Sequence, residues 1–78
     1  MTELEYYITE KMIENIVETI AEQQHIEPLA ALGKFYQSET YAMLKRDELK
    51  LWQLSDKGLF DLWQNEIQHG NPRLSRYL

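Results

Sequence analysis

Cysteine is absent from the 78 residues, which removes disulfide staples and thiolate metal ligands together. A chain of this length buries roughly 60–65% of the surface exposed by its unfolded form. Such a core supplies only about 3–5 kcal/mol. Without staples, reinforcement is expected from well-packed helices or from self-association. Proline occurs only at Pro28 and Pro72 and glycine only at Gly33, Gly58 and Gly70, so no flexible or proline-rich linker divides the chain. A single domain over residues 1–70 is expected, followed by a flexible basic tail, 71–78. Long apolar runs and a basic-plus-apolar leader are also missing. A membrane-spanning or secreted protein is therefore not expected, and a reducing cytoplasm is the expected setting.

Catalytic signatures are equally scarce. There is no glycine-rich phosphate loop, and Ser38, Ser55 and Ser75 stand where helix caps or a tail belong. Neither histidine lies in a context that suggests a general base. The expectation is a protein that is not an enzyme and needs no cofactor. Two Glu-x-x-His pairs, Glu22/His25 and Glu66/His69, have the spacing of di-iron bundle ligands. Both fall at helix ends, and the first points away from the apolar face, so no metal site is expected.

What the sequence does contain is helix-forming residues with helical periodicity. Across 9–25, Met12, Ile13, Ile16, Val17 and Ile20 repeat at the spacing of one buried face. Upstream, Leu4, Tyr7 and Ile8 do not share that face; they suit a partner surface if the helix extends back, and a frayed start otherwise. Proline at the first helical position opens a second helix at 28–36, with Leu29, Leu32 and Tyr36 as its apolar line. Ser38 reads as an N-cap for a short helix 39–46, although an unbroken helix 28–46 is a rival. Residues 47–54 read as an extended connection or a single turn. Ser55 caps a last helix, 55–69, whose buried face is Leu59, Phe60, Trp63 and Ile67, with Leu62 at its edge and Gly70 as the C-terminal cap. The fold expected is all-α: a bundle of three main helices plus a short one.

Charge is distributed unevenly. Residues 1–27 carry seven acids against one base, a net −6, while the remaining residues carry six acids and seven bases. Glu10, Glu14, Glu18 and Glu22 stand one turn apart, where like charges weaken an isolated helix by a few tenths of a kcal/mol per pair. This stripe repels a phosphate backbone and favours a basic protein. Among the aromatics, Phe35, Tyr36, Tyr41, Trp52, Phe60 and Trp63 read chiefly as core, with Trp52 or Trp63 as the anchor for any partner groove. A helix-turn-helix over PLAALGKFYQSETYAMLKR is the competing functional reading. Against it, Gly33 lies well before the break and the second helix presents Glu39 rather than clustered bases.

The run Ala31-Leu32, Phe35-Tyr36, Ser38, Thr40-Tyr41 and Leu44, resumed at Leu51-Trp52, Ser55, Leu59, Leu62-Trp63 and Glu66, resembles short uncharacterised bacterial all-helical proteins. Some of these are encoded in toxin–antitoxin-like gene pairs, as the smaller partner. The likeness covers about half the chain and implies the helical fold; Lys50 stands where the pattern has a turn glycine. It implies no catalytic residue. Together these readings lead to a cytoplasmic protein-interaction module, possessing an antitoxin-like role. Its partner-binding residues are Glu10, Glu14, Glu18, Glu22, Tyr7 and Trp52, its partner a basic protein, and the chain self-associates. A dimeric DNA-binding regulator and a purely structural homodimer are the alternatives.

Overall fold

The computed structural model describes residues 1–78 and is an all-α fold without strands: α1 Glu3–Gln24, α2 Pro28–Tyr36, α3 Glu39–Leu44 and α4 Asp56–His69. Short 3-10 turns occupy Asp47–Leu49, Leu51–Gln53 and Pro72–Leu74. Helix α1 packs against α2 on one side and α4 on the other, and α3 closes the gap between α2 and α4.

Helix α1 starts at Glu3, six residues before the periodic stripe. The reason is a capping box: Thr2 Oγ1 accepts from the Glu5 amide at 3.1 Å, and the Glu5 carboxylate accepts from the Thr2 amide at 3.2 Å. At the other end His25 adopts a left-handed conformation, φ 56°, and its amide donates to the Ala21 carbonyl. The extension leaves Leu4 and Tyr7 exposed, whereas Ile8 is half-buried against the core. The proposed caps of the later helices are also present. Ser38 Oγ accepts from the Tyr41 amide at 3.0 Å and Ser55 Oγ from the Gly58 amide at 3.1 Å, so the chain breaks at Ser38.

Two buried faces differ from the periodic reading. In α2 the enclosed residues are Ala31 and Phe35, while Leu29 is 78% exposed and Tyr36 47% exposed. Two apolar lines, one residue and thus about 100° apart, compete on this helix. The Phe35 ring decides between them. Fully enclosed, it meets Tyr41 edge-on at 5.6 Å and Trp63 at 6.0 Å between centroids. In α4 the face is centred on Leu59, Leu62 and Trp63; Leu62 is fully buried and Ile67 lies at the exposed rim. The remaining core comes from the α1 stripe with Met43, Leu44 and Leu51.

Residues 71–78 fold back on α4, and the boundary drawn at residue 70 falls inside the packed unit. Pro72 and Ser75 are buried, and Ser75 Oγ hydrogen-bonds the Asp61 carboxylate. Tyr77 lies across Gly58, where an added Cβ would come within 3.3 Å of the ring. Glycine in the first turn of α4 thus admits the closing contact.

Candidate functional site

Glutamates at i, i+4 and i+8 on α1 fall along one line, and the residue before each of the last two falls beside that line, toward the core. Glu10, Glu14 and Glu18 therefore flank Ile13 and Val17. Across from them α2 presents Pro28, Leu32 and Tyr36, and a groove of about 490 Å³ opens between the two helices. Its floor is apolar and one rim is acidic. A Cβ placed on Gly33 would meet nothing within 4 Å, which leaves room beside the α2 wall. Leu29 extends the apolar surface of α2 beyond the groove.

Only one of the rim carboxylates has a partner within the chain: Lys11 Nζ lies 3.3 Å from Glu14 Oε2, with both side chains well exposed. An exposed pair at this spacing contributes about 0.3–0.5 kcal/mol. Glu10 also borders a second recess, of about 190 Å³, with Tyr6, Thr9, Lys45 and Asp47. There Lys45 Nζ lies 5.7 Å from the Tyr6 ring and 5.8 Å from the Tyr41 ring, and Tyr41 stands 4.8 Å from Tyr36. The tyrosines connect the recess to the end of the groove. Outside the groove, its own backbone amide and then Arg46 hold the Glu48 carboxyl below its ordinary range.

Of the residues anticipated to bind a partner, Glu10, Glu14 and Glu18 are brought together. Glu22 is exposed farther round α1 and does not line the groove. Tyr7 is 61% exposed outside it, with Lys11 Nζ 5.8 Å from its ring. Trp52 is half-buried against the core, and its indole N–H is enclosed without an acceptor, as is that of Trp63. Each such orphan donor costs about 1–3 kcal/mol, set against the large area that an indole buries. The groove's floor was not foreseen. Its signal was the pair of rival apolar lines on α2, more apolar surface than a nine-residue helix can bury on one face.

Glu66, the acid of the second Glu-x-x-His pair, has an internal task. Its carboxylate accepts from the Glu39 amide at 2.9 Å, the Thr40 amide at 2.8 Å and Thr40 Oγ1 at 2.7 Å. It closes the N-terminus of α3 and ties that helix to α4. Ser38, Thr40 and Glu66 thus meet at one junction. Comparison with protein-family models, with curated proteins and with solved structures gives no match for this chain.

Proposed function

We propose that the protein is a cytoplasmic protein-interaction module that engages another small protein, in the manner of an antitoxin-like neutralising partner. The observation that carries this reading is the groove between α1 and α2, an apolar floor beside a line of carboxylates. Exposed apolar surface rimmed by polar residues is the usual mark of a protein contact. The gene-pair setting rests on the resemblance of residues 29–66 to short bacterial helical proteins. No helix is long and apolar enough to cross a membrane.

The DNA-binding alternative places the N-terminal end of α3 in the major groove of a polyanionic duplex. That end holds the Glu66 carboxylate instead, and the reading is not favoured. A symmetric homodimer through the groove places two acidic rims against each other. Co-expression with the product of the adjacent gene tests the proposal. A complex that co-purifies, and a growth defect relieved by this chain, is the expected outcome; no complex and no effect of either gene on growth removes it.

A further inference from the structure

We infer that the occupant of the α1–α2 groove is an amphipathic helix of the partner, apolar on one face and carrying lysine or arginine residues one turn apart along its flank. This inference rests on the interaction-module reading and names what that module grasps. Three features lead to it. The floor residues Ile13, Val17, Leu32 and Tyr36 come from two adjacent helices, so the depression is elongated, the form that receives a helix. Glu10 to Glu18 spans eight residues of α1, about 12 Å at 1.5 Å per residue, or just over two turns of a guest. A guest helix lying along α1 then brings residues at its own i, i+4 and i+8 positions past the three carboxylates in register.

Charge selects this occupant over others. Glu10 and Glu18 have no ion-pair or hydrogen-bond partner in the chain, and Lys11 engages Glu14 from the outer side of α1. An acidic or neutral guest leaves them unanswered; a second copy of this chain presenting α1 adds like charge. A basic flank satisfies the rim while the guest's leucine-type side chains cover Leu32 and the exposed ring of Tyr36.

The test uses the intact protein and a synthetic amphipathic peptide of about 15 residues, with leucines along one face and arginines one turn apart on the flank. Fluorescence polarisation at low and high salt reads its binding, beside a control peptide in which glutamate replaces arginine. The arginine peptide is expected to bind the chain, more weakly as salt rises, and the glutamate peptide to bind at least about tenfold more weakly. Combined Glu10→Gln, Glu14→Gln and Glu18→Gln are expected to weaken the arginine peptide about tenfold. Leu32→Asp is expected to remove binding while circular dichroism retains the helical signal. Equal binding of both peptides, or none, overturns the inference. Sedimentation of the protein alone adds another arm: a dimer dispersed by Leu32→Asp makes a second copy the occupant and also overturns it. Should the co-expressed partner bind with undiminished affinity to the Leu32→Asp chain, the groove assignment fails and the interaction-module reading survives. Failure of the co-expressed complex itself removes the module.

Discussion

Glu66 and Glu18 are the same side chain in opposite circumstances. At the junction of α3 and α4, Glu66 answers two backbone amides and a hydroxyl, and Asp61 nearby holds Ser75. Between α1 and α2, Glu10 and Glu18 sit one turn from Glu14 with no internal donor, beside a half-buried Leu32 and an exposed Tyr36 that lie over the buried Ile13 and Val17. The first region uses its polar groups to hold the chain together. The second keeps like charges adjacent, at a small cost in helix stability, beside an apolar floor. A carboxylate engaged by three donors explains itself within the fold. A row of carboxylates beside a half-buried leucine and an exposed tyrosine is explained by something outside it.

Substitutions should therefore divide by region. The largest effect is expected at Phe35, which joins α2 to both sides of the junction: Phe35→Ala should lower unfolding free energy by about 3–5 kcal/mol in urea denaturation. Leu29→Ala, on the opposite line of the same helix, should change it by no more than about 0.5 kcal/mol. Equal effects would erase the distinction between the two faces. Next is Glu66→Ala, which leaves two amides at the start of α3 without acceptor and should cost about 1.5–3 kcal/mol. Hydrogen exchange should then accelerate first in Glu39–Leu44; a loss spread evenly over the molecule would contradict the capping role. Ser75→Ala removes one hydrogen bond between the C-terminal segment and Asp61 and should cost about 1 kcal/mol. Release of residues 71–78 to proteolysis before global unfolding would sharpen that assignment. The smallest effect has the opposite sign. Neutralising Glu10, Glu14 and Glu18 with glutamine removes three like-charge pairs, Glu10/Glu14, Glu14/Glu18 and Glu18/Glu22, and one weak attraction to Lys11, and thermal melting should show a gain of a few tenths of a kcal/mol. A loss above 1 kcal/mol would mean that the stripe supports the fold.

Much of the architecture was legible because it rests on local rules. Pro28, Ser38, Ser55 and Gly70 mark helix ends through backbone chemistry that operates over three or four residues. The start of α1 is written in Thr2-x-x-Glu5, a capping box that lies upstream of the apolar stripe. What was not legible depends on contacts across the sequence. The choice between the two lines of α2 is made by Tyr41 and Trp63, neither of them on that helix. The docking of residues 71–78 depends on Gly58 leaving space for Tyr77, and the role of Glu66 on an amide 27 residues earlier. The candidate site was half visible: the acidic rim follows from i+4 spacing, but its floor appears only once α2 has turned the leucine line outward. Trp52, chosen for size alone, lies against the core.

The most direct test of the central claim is amide chemical-shift mapping of the labelled protein during titration with the arginine-bearing amphipathic peptide. The account predicts perturbations concentrated at Ile13, Val17, Leu32 and Tyr36 and along Glu10 to Glu18, with Thr40, Glu66 and Ser75 unmoved. Perturbations centred on α4 and the C-terminal segment, or none at saturating peptide, would contradict it.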